Sequence, residues 1–453
     1  MLLAALLELL TAWRPAFRRQ KTYTRVIVVL LGLLCAQGRR TLTQSIRLRG
    51  SDERWSADYR GFSRAPWNQQ DLFRPALAEA SAIHHKLCGD QPLVIHVDDT
   101  TTPKGGRSGF VRWMKDPLSP PFHVNLRRGL RFQHFAADLP LHRQGFDARA
   151  VSVAFDLVPS LKKPGKKATA EEVAQYRRHA KTCTLGQAAV QRLAVLREQL
   201  AAAGLSNNVL LVGDGSYTNQ HVLRNLPDGV HYLGRARKDL ALYGVALESG
   251  PRHRVYGERL PTPHAMRQDE SIPWQVFQAH VGGKLRDVRV KVIDDVLWRG
   301  GALGRKLRLL ILAPTPYQGR HRVLYRDPAY LLTTAVEQTQ IDWLVQAYLD
   351  RWQIEVVHRE CKQTHGLGQA QVWSNPSVQR FYSAHVAMSS LLVLAAYRAF
   401  GPARTEHFAP RPPWRSRSPT DRPSYADLVE RLREDYRQRL RLLSVPAGHR
   451  LAA

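Results

Sequence analysis

The order of apolar and polar positions predicts helices at both ends of the chain and a mixed middle. Over residues 1–90 apolar and arginine-rich stretches alternate, and Ala76 to Leu87 has helical spacing. Short apolar runs follow at 92–97, 150–158, 208–213 and 230–234, and runs of this length are typical of buried strands. A helix is predicted between them, from Thr169 to about Ala203. This alternation predicts an α/β core with a largely parallel component.

After residue 235 the pattern changes to short alternating stretches, which predict an antiparallel, β-rich insertion. Helical spacing returns from Ile341 through Gln363 and again over 378–400. The tail begins rich in proline and arginine, and Ser424-x-x-Asp427 resembles a capping box before an amphipathic helix. The predicted units are a helical N-terminal domain (1–90), a core in two parts (91–235 and 336–400), the insertion (236–335), and the basic linker and helix (401–453). The N-terminal domain either binds DNA or only packs against the rest of the chain.

The charge of the chain indicates a polyanionic partner. Lys plus Arg number 67 against 38 Asp plus Glu, a net charge of +29, and nucleic acid is the usual polyanion that meets such a surplus. An arginine-rich genome bias would explain part of the surplus, and an anionic membrane surface is the alternative partner. The longest apolar run, Val26 to Ala36, is shorter than the roughly 20 residues that span a bilayer, so no membrane is expected. Four cysteines without a CxxC pair argue against a disulfide framework and favour the cytoplasm.

Three acids are the candidate catalytic residues. Asp98 and Asp214 each follow an apolar run, and the carboxyl ends of strands are where α/β sheets bind ligands. Carboxylate oxygens are the ligands that Mg²⁺ prefers, although an Asp after a strand is often only a turn residue. Asp99 points to the opposite side of the strand from Asp98. Asp98 is favoured because Thr100 completes an Asp-x-Thr pattern, and the choice between the two stays open.

The third acid, Glu355, lies in the predicted helix 341–363. Tyr348, Arg351, Glu355 and Lys362 follow at spacings of 3, 4 and 7, which places them within roughly 60° on one helix face. Such a stripe suits a metal-binding carboxylate flanked by two cations that hold phosphate. The alternative is a solvated face with an Arg351–Glu355 salt bridge.

Several basic residues are candidates for contacts with the DNA backbone, with ordinary solvated charges as the alternative. Lys104 and Arg107 lie in a loop predicted over 100–109, beside Asp98. A second basic loop contains Lys162, Lys163, Lys166 and Lys167.

The pattern Tyr348-x2-Arg351-x3-Glu355-x6-Lys362 resembles the YREK signature of the insertion-sequence-four group of DDE transposases. The segments 98–100 and 214–217 resemble the two aspartate motifs of that family, with Ser216 where Gly or Ala is common. Residues 38–41 and 256–260 resemble its insertion-sequence-seven-oh-one-like branch. The resemblance implies an RNase H-like core with a β-rich insertion before the helix that carries the last catalytic residue.

The resemblance also implies an activity. Asp98, Asp214 and Glu355 would bind two Mg²⁺ ions, or Mn²⁺ in their place, for cleavage at the ends of an insertion sequence and transfer of the freed 3′-hydroxyl to target DNA. Tyr348, Arg351 and Lys362 would contact the terminal DNA backbone. Trp298 or Trp274 would hold a flipped base, unless both are core residues. The partners implied are terminal inverted repeats, target DNA and a second copy of the chain, in a bacterial cytoplasm at the nucleoid.

Three other interpretations remain open at this level. The first is another RNase H-like nuclease, such as a junction resolvase, and the second is a catalytically silent DNA-binding descendant of a transposase. The third is a membrane-surface protein that uses the apolar N-terminus and basic tail. The transposase interpretation requires that the side chains of Asp98, Asp214 and Glu355 converge.

Overall fold

A computed structural model describes most of the chain. The described residues are 1–49, 55–106, 108–116, 119–120, 122–141, 148–205, 208–246, 255–281, 284–318, 322–336, 340–411, 413 and 422–444.

Helices form the N-terminal part of the chain, as the apolar spacing predicts. They are α1 (Leu2–Thr11), α2 (Gln20–Cys35), α3 (Leu42–Arg49), α4 (Trp55–Ser63) and α5 (Arg74–Cys88). Their apolar faces share one hydrophobic cluster with the long helix α12 (Asn375–Phe400), the tail helix α13 (Tyr425–Ser444) and one face of the sheet. The two ends of the chain therefore pack together behind the sheet.

A mixed sheet follows, and its first five long strands form a compact unit. These strands are β1 (Leu93–Pro103), β3 (Leu126–Pro140), β4 (Ala148–Leu157), β5 (Val209–Gly213) and β6 (Val230–Arg235). Their order is β4-β3-β1-β5-β6. Strands β1, β5 and β6 run parallel, and β3 is antiparallel to β1 and β4. This arrangement is compatible with an RNase H-like fold.

The β-rich stretch after residue 235 continues the same sheet. β6 pairs with β14 (Ala329–Thr333), which pairs with β11 (Lys306–Leu312) and then β10 (Lys284–Leu297). β10 also pairs with β9 (Gln275–Val281) and β7 (Tyr243–Val245), and β7 pairs with β8 (Tyr256–Arg259). At the opposite edge β2 (Arg112–Lys115) pairs with β3, while β12 (Pro316–Gln318) and β13 (Val323–Tyr325) form a separate pair.

Two predicted boundaries are wrong. β1 does not stop at residue 97, because residues 98–103 pair with residues 129–134 of β3. The predicted helix from Thr169 is two helices, α6 (Ala170–Thr182) and α7 (Leu185–Ala202). Each helix begins with its own capping box, at Thr169 for α6 and at Thr184 for α7. In the second, the Thr184 hydroxyl accepts from the Gln187 backbone N–H at 3.2 Å, which starts a new helix there.

The helix predicted over 341–363 is also divided. It consists of α10 (Ile341–Asp350), α11 (Trp352–Arg359) and a π-helical turn (Glu360–Thr364), with Arg351 at the joint. The short helices α8 (Gln220–Leu223) and α9 (Pro263–Gln268) lie elsewhere. The capping box at Ser424 and Asp427 is confirmed at the start of α13. Among the described helices, only α12 has the length and composition to cross a membrane, and 78% of that window is buried, as in a central core helix.

Candidate active site

The parallel register of β1 and β5 brings two of the candidate acids to the same place. Val97 is paired with Gly213, so Asp98 and Asp214 are the next residues on two neighbouring parallel strands. β5 ends at this point, whereas β1 continues along β3 for several residues. Asp98 and Asp214 therefore emerge at the carboxyl edge of the parallel part of the sheet, as the apolar runs predict.

A pair of glycines shapes the turn that carries Asp214. Gly213 and Gly234 face each other across β5 and β6, and the phenol of Tyr232 lies over them. A Cβ atom on Gly234 would lie 2.1 Å from the Tyr232 hydroxyl oxygen. That hydroxyl donates to the Asp214 carbonyl at 3.4 Å and shares a hydrogen bond with Thr218 at 2.9 Å. Because glycine has no side chain, Gly213 and Gly234 leave room for the Tyr232 ring, whose hydroxyl holds the backbone of Asp214 in place.

Neighbouring groups distinguish Asp98 from Asp99. Arg131 Nε donates to Asp99 Oδ2 at 2.8 Å, so the charge of Asp99 is compensated. Asp98 Oδ1 accepts the Asp99 backbone N–H at 2.8 Å. Burial raises the pKa of Asp98 to about 7, and the charges of Asp214 and Asp99 add to this, while that backbone hydrogen bond and Arg351 oppose it. The arrangement favours Asp98 as the functional carboxylate.

Arg351 links Asp98 to the third acid. Its Nη2 donates to Glu355 Oε1 at 3.0 Å, and its Nη1 lies 3.9 Å from Asp98 Oδ2. The salt bridge considered as an alternative therefore exists, but it lies against the sheet edge rather than on a solvated helix face. Asp98 and Glu355 thus share the guanidinium of Arg351, while the carboxylate of Asp214 accepts hydrogen bonds from the backbone and hydroxyl of Ser216.

Two of the three acids open onto a cleft of about 680 Å³. Asp98 and Glu355 line it together with Lys362, whose pKa is lowered by burial and by Arg127 while Asp98 opposes the shift. The π-helical turn places Lys362 here, and such turns are frequent at functional sites. The cleft is further lined by Trp113, Lys115, Arg131, Ser160 and Arg359.

The other predicted DNA contacts are placed differently. Tyr348 is on α10, half-buried against the hydrophobic cluster that includes β9, β10, β11 and β14. The strands β7 to β14, which follow β6 along the chain, are called the distal strands. Trp298 and Trp274 are half-buried against the core on the other face of the sheet, and Arg289 and Lys291 stack on Trp274. The contacts of Tyr348 and Trp298 with DNA stay predictions.

Lys104 is buried in this structure, and its contact with the DNA backbone stays a prediction. Its side chain is only 5% exposed, and Nζ donates to the Ala370 carbonyl at 2.6 Å. The ammonium also lies 4.3 Å from the ring centroid of Trp373. Burial lowers the pKa of Lys104 to about 8. Its predicted neighbour Arg107 lies outside the described residues.

The donor chemistry fits a hard divalent cation, but the arrangement is not preassembled for one. Three carboxylates with a phosphate would be a sufficient ligand set for Mg²⁺. Among the described residues, however, no three His, Cys, Asp or Glu side chains lie close enough together to hold an ion. The guanidinium of Arg351 stands between Asp98 and Glu355 instead. An ion shared by these two carboxylates would require Arg351 to move.

The hairpin of β2 and β3 was missed by the sequence reasoning, which assigned no element between residues 110 and 140. It supplies Trp113, Lys115 and Arg131 to the cleft. Exposed and half-buried positions alternate along β2, but Arg112, Trp113, Met114 and Lys115 do not alternate between polar and apolar, so the sequence carries no period-two signal there.

Residues 164–388 of the chain match the family model described as the transposase DDE domain. The matched part contains Asp214 and Glu355 and all of the distal strands; Asp98 and the N-terminal helices precede it, and the tail helix follows it. No curated protein matches the chain. Just under half of the chain is therefore similar to a transposase DDE domain, and the mixed α/β fold is compatible with that similarity.

Proposed function

We propose that the chain cuts DNA at the ends of an insertion sequence and joins the freed 3′-hydroxyl to target DNA, as a YREK-type transposase of the insertion-sequence-four group. The observation that carries this is that two pairwise relationships link acids from distant parts of the chain. Asp98 and Asp214 adjoin each other on parallel strands, and Arg351 connects Asp98 to Glu355. The cleft beside them is lined by cations and is open to a polyanion.

In this proposal Asp98, Asp214 and Glu355 would hold two Mg²⁺ ions, with Mn²⁺ as a substitute. When bound, such ions activate an attacking oxygen and stabilise the leaving one. The chain's own residues position the DNA. Arg351 exchanges its carboxylate partners for a phosphate, and Lys362 holds a second phosphate oxygen from the same cleft wall.

Further cations extend this surface beyond the cleft. Ser160 lies in the cleft lining and leads directly into the basic loop that the sequence singled out. The side chains of that loop are exposed and available to phosphate; they are Lys162, Lys163, Lys166 and Lys167. Pairing of two element ends would require a second copy of the chain.

The test uses the full chain and a DNA substrate that carries the inverted repeats flanking its reading frame. Asp98→Asn, Asp214→Asn and Glu355→Gln are expected to abolish Mg²⁺-dependent cleavage while end binding is retained. Asp239→Asn, on the surface beside Arg237, is the matched control and should cleave normally. Cleavage by Glu355→Gln would refute the assignment.

The same assay separates the other candidates. Wild-type chain that binds ends without any metal-dependent cleavage would favour a silent DNA-binding descendant. Cleavage of branched DNA without strand transfer would favour a junction resolvase.

A further inference from the structure

A second cavity lies on the opposite side of α11 from the cleft, with a volume of about 200 Å³. Among the described residues its lining contains five arginines and two acids. The arginines come from β4, α11 and the tail: Arg149, Arg359, Arg404, Arg411 and Arg422. Four of the five therefore lie outside the part of the chain that matches the transposase DDE domain, one before it and three after it.

Backbone and side-chain contacts between β4 and the tail form the walls of this cavity. Arg149 Nη1 donates to the Pro423 carbonyl at 3.2 Å, and Arg422 Nη1 donates to the Ala148 carbonyl at 2.9 Å. Arg422 Nη2 also donates to Gln353 Oε1 on α11 at 3.1 Å. These contacts hold guanidinium groups in fixed positions, so little side-chain entropy remains to be lost on binding an anion.

The two acids of the described lining lie next to two of these arginines. Arg404 and Ser424 both contact Asp427, with Arg404 Nη1 at 2.7 Å from Asp427 Oδ2. Glu360 is 4.0 Å from Arg149. Among the described lining residues five guanidinium groups thus stand beside two carboxylates. A cluster of guanidinium groups is suited to an anion with several oxygens, which accepts several hydrogen bonds at once.

Arg359 connects this cavity to the cleft. It lines both, it is exposed, and it makes no hydrogen bond or ion pair with any other residue in the part of the chain that the structure describes. It lies one helical turn beyond Glu355 on α11. A DNA strand that passes the carboxylates therefore meets Arg359 next and the arginine cavity after it.

We propose that this cavity binds a backbone phosphate of the DNA strand that leaves the cleft, so that the tail acts as a clamp on DNA. The inference rests on the proposed function and adds a binding site to it. Planar guanidinium groups suit the tetrahedral oxygens of phosphate, and several together bind it without reading the base sequence.

The test compares the salt dependence of DNA binding in full-length variants. Arg359→Gln/Arg411→Gln removes two cavity charges, and Arg237→Gln/Arg437→Gln removes two charges from surfaces outside the cavity. Fluorescence anisotropy with a labelled duplex is measured across a KCl series. The slope of log affinity against log salt should fall by roughly one per lost phosphate contact in the cavity variant and stay unchanged in the control. Thermal melting curves confirm that both variants are folded.

Equal slopes in the wild type and the cavity variant would overturn the inference. A calorimetric titration with inorganic pyrophosphate distinguishes the other source of phosphate. If the wild type binds pyrophosphate, the cavity variant does not, and the DNA slopes are equal, the cavity takes a small anion and the DNA clamp is refuted. A slope difference in a chain that cleaves no DNA end would instead support the clamp and contradict only the proposed transposase chemistry.

Discussion

Arg351 donates to Glu355 at 3.0 Å across one helical turn, and the same guanidinium reaches to within 3.9 Å of Asp98. A fixed positive charge therefore stands where the sequence predicts a metal ion. The two cannot occupy this position together, because like charges repel and the carboxylate oxygens are shared. Arg351 and a divalent ion should compete for the site.

This competition gives the first prediction. Arg351→Gln in the DNA-free chain should bind Mn²⁺ more tightly than the wild type, by about tenfold, which corresponds to ~1.4 kcal/mol. Binding is measured by titration calorimetry without DNA, so the result does not depend on activity. Arg237→Gln, which removes an exposed arginine paired with Asp239, should leave Mn²⁺ binding unchanged. Equal or weaker Mn²⁺ binding by Arg351→Gln would show that the guanidinium does not obstruct the site.

The second prediction concerns the pH dependence of stability. The pKa of Asp98 is raised to about 7 by burial, so between pH 4 and pH 7 the folded chain holds a proton that the unfolded chain releases. The contribution of Asp98 to stability is therefore present at low pH and is lost as the pH rises through about 7. Asp98→Asn should be more stable than the wild type at pH 8, by on the order of 1–3 kcal/mol after allowance for solvent screening.

Urea unfolding in the presence of EDTA, at pH 5 and at pH 8, measures this difference. Asp239→Asn is the control, because hydrogen bonding to Arg237 lowers the pKa of Asp239 instead of raising it. If the free energy of unfolding changes equally between pH 5 and pH 8 in the wild type and in Asp98→Asn, the pKa of Asp98 is not raised by burial.

Two local relationships at the candidate site were easier to predict from the sequence than the bounds of the elements that carry them. Asp98 and Asp214 could be placed together because apolar runs of equal character end at both, and parallel strands end at one edge. The spacing of Arg351 and Glu355 likewise predicted their contact. Local patterns were sufficient in these cases because each depends on a single strand end or a single helical turn.

What the sequence did not show depends on pairing between distant segments. β1 extends past Asp98 only because β3 lies alongside it, and nothing local marks residues 98–103 as a strand. Lys104 lies among polar and glycine residues, yet its burial is decided by Ala370 and Trp373, more than 260 positions away. The arginine cavity is formed by β4, α11 and the tail, so no single segment reveals it.

Gly234 gives the third prediction. In Gly234→Ala the new Cβ would lie 2.1 Å from the Tyr232 hydroxyl oxygen and 2.7 Å from Thr218 Oγ1, so the phenol must shift and release the Asp214 turn. The expected loss is ~1–3 kcal/mol of unfolding free energy. In a Tyr232→Ala background the same change should cost less, because the ring is gone. Gly165→Ala, where a Cβ meets open space, is the control. Additive losses in the double variant would exclude this contact as the cause.

Lys104 gives the fourth prediction. Lys104→Met keeps the apolar stem but leaves the Ala370 carbonyl without its donor, which should cost ~1–2 kcal/mol of stability. Since burial lowers the folded-state pKa to about 8, wild-type stability should also rise as the pH increases above 8, and Lys104→Met should lose this rise. The salt dependence of DNA binding should stay unchanged, whereas Lys163→Gln in the exposed basic loop should reduce it. A reduced slope of log affinity against log salt in Lys104→Met would instead support Lys104 as a contact with the DNA backbone.

Trp113 gives the last prediction. It is 66% exposed in the wall of the cleft, with Arg128 near its ring, whereas Trp298 is half-buried against the sheet. An exposed indole beside a polyanion-binding cleft is suited to stacking on an unpaired base, which contributes roughly 1–3 kcal/mol per base. Trp113→Ala should therefore weaken binding of a short single-stranded oligonucleotide by about 5- to 100-fold. Trp113→Phe should keep most of the affinity because a ring remains.

Trp55→Ala is the matched control for this variant, since Trp55 is 55% exposed but lies on α4, outside the described lining of the cleft. Trp298→Ala tests the residue that the sequence suggested: loss of packing should lower its melting temperature while its affinity per folded molecule stays unchanged. The reverse outcome, in which Trp298→Ala loses the oligonucleotide and Trp113→Ala binds it normally, would assign base recognition to the distal strands. The two variants therefore decide whether β2 or the distal strands contact the bases. A tryptophan that remains packed in the core cannot stack on a base.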